Sequence, residues 1–288
     1  MSGSAAAAPR GTGGARAASP RPRRPGILLM AGSAGVVAVF LGLPVLVLVA
    51  RGIGGLGDPG PDLASLAAAL RLSLFTTAIS LAVAVIWGTP LALWLARRPP
   101  RGAAILETLI DLPIVLPPAV AGLALLLVFG RRGALGEPLG ALGLEIPFTT
   151  LAVIFAQVFV AAPFYIRSAR SGFRAVDRDL EDAARVDGGG ELAVFRTVTV
   201  PLASSALAAG MVMTWARALG EFGATILFAG SIAGTTETLP LLVYAEFGAG
   251  RLETAVTAAT ALVGAAIAVL AAVRLLRARS VGALGGVD

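Results

Sequence analysis

The chain has 288 residues, of which 57% are hydrophobic and 14% are charged, and its formal net charge is +6. This composition excludes an ordinary soluble domain, because a soluble core of this size needs a charged surface to cover it. Cys and His are absent, which excludes thiol nucleophiles, disulfides, histidine acid–base chemistry and the common zinc sites. The charges lie in clusters between charge-free stretches, a pattern typical of a multi-pass membrane protein.

Six apolar stretches have the length of about 20 residues that a helix needs to cross the hydrocarbon of a membrane. Only a helix satisfies its backbone hydrogen bonds within the segment there, so we predict an all-α fold with six transmembrane helices. The aperiodic residues 1–25 predict a disordered tail, a membrane domain follows over 26–276, and residues 277–288 predict a second tail. The predicted spans are 26–50, 72–96, 112–130, 146–166, 202–230 and 254–273.

The distribution of arginine predicts the orientation of these spans, because basic residues favour the cytoplasmic side. Arginine clusters lie before the first span and after the second, fourth and sixth, all on one face. The opposite face is poorer in arginine; it holds Arg131, Arg132, Asp58, Asp62, Glu237 and Glu246. We predict a plasma-membrane protein with both termini in the cytoplasm. The arginines are not interleaved with aromatic residues, so nucleic-acid binding is not expected.

The third span opens with three prolines, Pro113, Pro117 and Pro118, after a short amphipathic stretch at 103–111. Proline frees backbone carbonyl groups and bends or ends a helix. Membranes tolerate such a break where neighbouring protein or a cavity satisfies the freed groups. Two interpretations stay open: a bent helix near a translocation path, or a helix that simply begins after Pro118.

A polar loop at 173–200 separates the fourth and fifth spans, and its centre, at 180–201, reads LEDAARVDGGGELAVFRTVTVP. Ala183 and Ala184 are small enough for a partner to approach closely. The three glycines at 188–190 end a first short helix. A second amphipathic segment follows at 191–199, and Pro201 is tolerated in the first turn of the next span. The loop therefore predicts two short helices at an angle on the cytoplasmic face.

This pattern resembles the EAA loop of ATP-binding-cassette importer permeases, matching at Glu181, Ala183, Ala184, Gly188 and Pro201. Asp187 stands where the family usually has an apolar residue. The resemblance implies a type I importer fold, in which the loop forms a coupling helix seated in a groove of an ATPase subunit. The residues that it assigns to ATPase coupling are Glu181, Asp182, Ala183, Ala184, Arg185, Asp187, Gly188 and Pro201.

A second resemblance concerns the cargo. The stretches at 216–230 (ARALGEFGATILFAG), 238–241 (TLPL), 111–113 (DLP), 116–118 (LPP) and 130–133 (GRRG) resemble the molybdate permease subfamily, which has sulfate permeases as near relatives. Ser231 stands where the subfamily commonly has asparagine. The resemblance implies an importer of molybdate or tungstate, with sulfate or thiosulfate as the alternative. The implied partners are two ATPase subunits, a second permease copy and an extracytoplasmic oxyanion-binding protein.

The chain itself is not expected to hydrolyse ATP, because it has no lysine and so cannot contain the phosphate-binding loop of an ATPase. No cofactor or metal site is predicted. A membrane-embedded enzyme or assembly factor is the alternative from another class. It is disfavoured, because the spans lack the His, Cys or carboxylate clusters that bind metal or relay protons.

Arg217 and Glu221 are the ionisable residues that lie deepest in any predicted span, with Arg217 about 20–25 Å from the start of the fifth. Charges there are expensive and face protein or water. Their spacing of four residues allows an ion pair. Either the pair fixes helix packing, or Arg217 presents a positive potential to a passing dianion. The candidate path or gate residues are Arg217, Glu221, Gly220, Gly223, Pro117 and Pro118.

Overall fold

The computed structural model of the protein describes residues 25–54 and 63–284, with the side chains of residues 30–54 and 63–271. The predicted N-terminal tail up to residue 24, together with Asp58 and Asp62, lies outside the described residues. The chain divides into two units, residues 1–46 and 47–288. All of the packing reported below lies within the second unit.

Regular secondary structure in the described ranges is helical throughout, which confirms the all-α prediction. The long helices are α1 (Pro25–Gly54), α2 (Leu63–Arg97), α6 (Thr150–Ala175), α9 (Val200–Leu219) and α12 (Leu252–Leu284). The shorter helices are α3 (Ala103–Val115), α4 (Pro118–Phe129), α5 (Gly136–Ala141), α7 (Arg178–Val186), α8 (Glu191–Val194), α10 (Gly223–Phe228) and α11 (Leu239–Gly248). A π-helical turn, Phe195–Thr199, joins α8 to α9.

Five helical segments of the described chain are long and apolar enough to cross a membrane: Met30–Gly54, Leu63–Arg97, Thr150–Ala175, Glu191–Leu219 and Leu252–Ala271. α3 and α4 together make a sixth candidate span, with a bend of 117° between them. This number agrees with the six spans predicted from the sequence. The protein is therefore a multi-pass membrane protein.

α6 packs against both α2 and α9, and small residues allow the close approach of α6 and α9. A Cβ added at Gly172 of α6 would lie 2.6 Å from the Cβ of Ala206 in α9. In the reverse direction, a Cβ at Gly210 of α9 would lie 2.8 Å from the Cβ of Ser168. In lipid, helices associate through such tight van der Waals contacts rather than through the hydrophobic effect.

Buried hydrogen bonds hold α2 against α6. The Gln157 amide of α6 donates to Thr76 Oγ1 at 3.2 Å and accepts from Ser80 Oγ at 2.9 Å. All three side chains are essentially inaccessible to solvent. One turn earlier in α2, Ser73 Oγ accepts from the backbone N–H of Leu239, at the start of α11, at 2.8 Å. Interhelical bonds of this kind contribute on the order of 1 kcal/mol each in a membrane.

The third predicted span, 112–130, combines features of both interpretations left open above. α3 continues through Pro113 to Val115, and a new helix begins at Pro118 after Pro117. The pair is bent by 117°, so the chain changes direction sharply at this point. Two adjacent prolines explain the break, because both lack the backbone N–H that would continue the helix.

The fifth predicted span, 202–230, is not one helix, and this corrects the prediction. α9 ends at Leu219, and a separate helix, α10, begins at Gly223. Gly220 and Gly223 flank the break, and glycine favours helix interruption. At the other end of the chain, α12 continues to Leu284, into the predicted tail at 277–288.

Candidate functional site

α7 is a short helix with signals at both of its ends. Asp177 precedes it, and its carboxylate accepts the backbone N–H of Asp179 at 3.0 Å. Asp179 and Glu181 lie in the first turn and Arg185 in the last, which complements the helix dipole. Gly188 follows with a φ of 91°, a left-handed conformation that glycine adopts without strain. The helix therefore ends where the sequence predicts.

Glu181 points into the protein, and its side chain is only 6% exposed. Its Oε1 accepts from Arg97 Nη2 at 2.6 Å and from Thr199 Oγ1 at 2.7 Å. One carboxylate thus joins α7 to the last residue of α2 and to the π-helical turn before α9. A buried carboxylate is tolerated only where it is paired and hydrogen-bonded. Glu181 therefore positions α7 and is not available to a partner protein.

Arg97 extends the same network to the corner between α6 and α7. Its Nη1 donates to the backbone carbonyl of Val176 at 3.2 Å, and its own carbonyl accepts from Arg178 Nη2 at 3.1 Å. The sequence analysis grouped Arg97 with the cytoplasmic arginines and missed this role. The available signal was weak, because it consisted of one acidic residue of the motif, Glu181, and a cluster of arginines far from it in the chain.

The side of α7 opposite Glu181 is open, and three apolar side chains lie on it. Leu180 is 51% exposed and Val186 is 87% exposed, and Ala183 between them is exposed as well. Successive spacings of three residues keep these side chains on one side of the helix. We call Leu180, Ala183 and Val186 the α7 outer face.

Polar residues of the loop bridge α7 to α8 across the three glycines. Arg185 contacts Asp182 Oδ1 at 2.5 Å and Glu191 Oε1 at 3.1 Å. The hydrogen bond to Glu191 is the main cause of a raised pKa for the Arg185 guanidinium. Asp187 and Ala184 contribute through the backbone: Asp187 N–H donates to Ala183, and the Ala184 carbonyl accepts from Gly189. Exposed pairs of this kind order the loop but contribute little stability.

The second short helix predicted at 191–199 is not a separate element. α8, the π-helical turn and α9 run on without a break from Glu191 to Leu219. The reason is that no helix breaker lies between Glu191 and Pro201, and Pro201 falls in the first turn of α9, where proline is tolerated. Only α7 stands between the two long helices as a helix of its own.

At the far end of α9, Arg217 and Glu221 form the predicted ion pair, with Arg217 Nη1 2.7 Å from Glu221 Oε2. At this distance, charge attraction joins the two groups. Glu221 Oε1 accepts the backbone N–H of Ala224 at 2.8 Å. Glu221 therefore connects the last turn of α9 to the first turn of α10. Arg217 lies at a helix end, not within a continuous span as predicted.

The two helix breaks meet in space. A Cβ added at Gly223, where α10 begins, would lie 2.7 Å from the Cβ of Pro118, where α4 begins. A Cβ at Gly122 would lie 2.6 Å from the carbonyl oxygen of Ala224. The structure thus brings Pro118 together with Gly223 and Glu221, whereas the loop residues around α7 lie at the other end of α9. Gly220 remains exposed beside Arg217.

Sequence reasoning also missed a set of ion pairs that fastens α3 to α6. Glu107 of α3 contacts Arg170, and it lies 3.4 Å from Arg174 Nη2. One turn further along α3, Asp111 Oδ1 lies 3.7 Å from Arg167 Nε. The signal was present in the sequence, because the acids are four residues apart and the arginines three to four, so each set lies on one helix face.

No group of three or more His, Cys, Asp or Glu that could hold a metal ion occurs among the side chains described at residues 30–54 and 63–271. The site is thus a set of helix contacts and ion pairs. Such an arrangement can transmit movement between helices and can present a charge.

Comparison with known proteins places the chain in a family. Residues 88–281 match the family described as the inner membrane component of binding-protein-dependent transport systems. The chain belongs to this family. The resemblance of the sequence to importer permeases is therefore confirmed, and below we refer to the protein as the permease.

Three known proteins illustrate the similarity. The molybdenum transport system permease protein of Mycobacterium tuberculosis is 46% identical over 178 residues, covering 62% of this chain and 67% of that protein. The sulfate transport system permease protein of Synechococcus elongatus is 34% identical over 258 residues, covering 85% and 88%. The crystal structure of a bacterial transporter that imports alginate has a TM-score of 0.67 at 15% identity, covering 88% of this chain and 94% of that chain, and it shows the fold alone.

The buried pair of Arg97 and Glu181 predicts a specific pattern of stability. Glu181→Leu leaves the Arg97 charge buried without its partner, so we expect the free energy of unfolding to fall by about 3 kcal/mol. The double variant Arg97→Met with Glu181→Leu removes both charges and should recover most of that loss. Denaturation of the purified permease in detergent measures both. Equal losses in the single and double variants would contradict the account, and Arg185→Ala, at an exposed pair, is the control that should change little.

Proposed function

We propose that the permease is the membrane-spanning subunit of an ATP-binding-cassette importer that carries molybdate or tungstate into the cell. A separate ATPase subunit, in two copies, supplies the energy. A second copy of the permease completes the membrane path, and an extracytoplasmic oxyanion-binding protein delivers the cargo. Both termini and α7 face the cytoplasm in this arrangement, as the distribution of arginine favours.

The α7 outer face is the observation that carries the proposed coupling. Leu180 and Val186 are exposed on α7. The opposite side of this helix is held in place by the hydrogen bonds of Glu181. A helix that is rigidly held and still exposes apolar side chains suits a groove on another protein. Ala183, in the middle of that face, is small enough to let the groove approach the helix backbone. We assign this face to the ATPase subunit.

The gate is proposed where the two helix breaks meet. Pro117 precedes α4 and Pro118 begins it, and Gly220 and Gly223 flank the break between α9 and α10. Broken helices are tolerated in a membrane where protein or a water-filled cavity satisfies the freed backbone groups. Arg217, beside Gly220, supplies a positive charge for a passing oxyanion. Switching between inward and outward access would then change the contact between α4 and α10.

Sulfate or thiosulfate remains the second candidate cargo. The similarity to a sulfate permease extends over 85% of this chain, which supports an oxyanion of the same tetrahedral shape and charge. The higher identity to a molybdenum permease, 46% over its aligned residues, favours molybdate. Because both anions are tetrahedral dianions, the binding protein is expected to make most of the distinction.

ATPase docking is tested by Ala183→Arg. A large charged side chain in the centre of the α7 outer face should prevent the groove from closing on the helix. We expect the complex with the ATPase subunit to weaken by at least about 2 kcal/mol, the scale of a central interface residue. Ala183 is exposed, so the melting temperature of the permease itself should not change. Co-purification and binding-protein-stimulated ATP hydrolysis provide the measurements.

The matched control is Leu142→Arg, a substitution at a residue that is 74% exposed and lies between α5 and α6, away from the loop that holds α7. This variant should bind the ATPase subunit as the wild type does. Normal association and normal stimulated hydrolysis with Ala183→Arg would mean that the ATPase docks elsewhere.

The cargo is tested by uptake into proteoliposomes that contain the permease, its ATPase and its binding protein. Labelled molybdate is supplied with an excess of unlabelled tungstate or sulfate. We expect ATP-dependent uptake that tungstate blocks and sulfate does not. Inhibition by sulfate would instead indicate that the permease carries sulfate. The absence of ATP-dependent uptake of any of these anions would reject the proposed cargo class.

A further inference from the structure

We propose that Glu221 acts as an internal competitor for Arg217. Its carboxylate occupies some of the N–H donors of the Arg217 guanidinium. A passing oxyanion binds the remaining donors only weakly and for a short time. Glu221 thereby keeps the gate from trapping the cargo. This inference rests on the proposed function and adds a specific role for one residue of the gate.

Burial distinguishes Glu221 from almost every other charged residue. Among the residues whose side chains the structure describes, Glu181 and Glu221 are the two buried charged side chains, at 5% and 1% exposure. Glu181 belongs to the α7 network at one end of α9. Glu221 lies at the other end, next to the meeting point of α4 and α10. A carboxylate so deeply buried carries a large desolvation cost. The negative charge of Glu221 therefore needs a functional explanation.

The two carboxylate oxygens of Glu221 do different things. Oε1 accepts the N–H of Ala224 at 2.8 Å and so fixes the start of α10. Oε2 lies 2.7 Å from Arg217 Nη1. The structural role needs only Oε1, which an uncharged amide can replace. The negative charge of Glu221 is paired with Arg217.

Arg217 has unused N–H donors and a partly exposed side chain. Its side chain is 28% exposed, and the guanidinium carries five N–H groups, of which Glu221 engages one side. Its neighbours along the same face of α9, Met213, Ala216 and Gly220, are exposed, and two of them are small. A charge facing lipid would be prohibitively expensive, so this open side faces water or another protein surface.

The balance of charges explains why a competitor is useful. A lone guanidinium in a low-dielectric surrounding attracts a dianion strongly, and a tight site slows release. With Glu221 beside it, the pair is neutral as a whole, and only its local dipole attracts the anion. The tetrahedral dianion can therefore bind to Arg217 and dissociate again. Guanidinium groups suit this contact because they donate two parallel hydrogen bonds to oxyanions.

The test is Glu221→Gln, which keeps an oxygen for the Ala224 N–H and removes only the charge. We expect radiolabelled molybdate to bind the variant permease in nanodiscs at least about tenfold more tightly than wild type, given the strength of one charge at this range. In proteoliposomes with the ATPase and binding protein, the maximal uptake rate should fall while the half-saturating concentration also falls. Arg217→Gln with Glu221→Gln should lose the tight binding.

A purely structural pair predicts a different result: lower stability, with the half-saturating concentration and the molybdate affinity unchanged. That outcome would overturn the proposal. If Glu221→Gln does not fold, the molybdate affinity of folded Arg217→Gln is compared with that of the double variant, in which no unpaired charge remains. The competitor role predicts tighter binding by the double variant, because Arg217→Gln leaves a carboxylate that repels the dianion. Equal affinity of the two variants would again overturn it.

Wild-type uptake separates this inference from the proposed function. If the wild-type complex imports none of the three oxyanions, the proposed function is wrong, whatever the variants do. If wild type imports molybdate and Glu221→Gln matches it in rate and affinity, only the competitor role is wrong.

Discussion

The structure depends on one buried carboxylate, which lies where the end of α2 and the residues before α9 meet α7. Glu181 takes a hydrogen bond from Arg97 at the end of α2 and another from Thr199 just before α9. Without these partners, burial of the charge would be strongly unfavourable, so the three segments must come together for the fold to form. The hydrogen bonds between these three segments fix α7 and leave the α7 outer face exposed. Glu221, at the opposite end of α9, joins that helix to α10 in a similar way.

α9 is thus connected at both ends, and its packing makes it a rigid connector. Gly172 and Gly210 allow α6 and α9 to touch closely along much of their length. Helices in such contact move as units, because tightly packed interfaces have few intermediate arrangements. A displacement of α7 would therefore be carried along α9 to the place where α10 rests on α4. The ion pairs of Glu107 and Asp111 with the arginines of α6 provide a second connection, from α6 to α3 and the break before Pro118.

The sequence alone predicts the membrane character, the number of spans and the position of α7, because these follow from hydropathy, from glycine and proline, and from a recognisable motif. It places Glu181 on the correct helix but does not predict that its side chain is buried. Burial of a polar side chain depends on which distant residue meets it, and Arg97 and Glu181 are 84 residues apart, so no local sequence pattern indicates the pair. The break after Leu219 was not predicted for a related reason. The hydrogen bond from the Ala224 N–H to Glu221, at the start of α10, does not affect hydropathy.

The central claim is that α9 carries movement from α7 to the meeting point of α4 and α10. The chain has no cysteine, so single spin labels can be placed without background at Arg178, which is exposed in α7 and outside the α7 outer face, and at Met213 in α9. In the proposed assembly with two permease copies, the distance between the two labels is measured at each position, without nucleotide and with ATP trapped. We predict that both distances change together. Thr199→Val, which removes the hydrogen bond from Thr199 to Glu181 just before α9, should preserve the change at Arg178 and reduce the change at Met213. An unreduced change at Met213 in that variant would contradict the account.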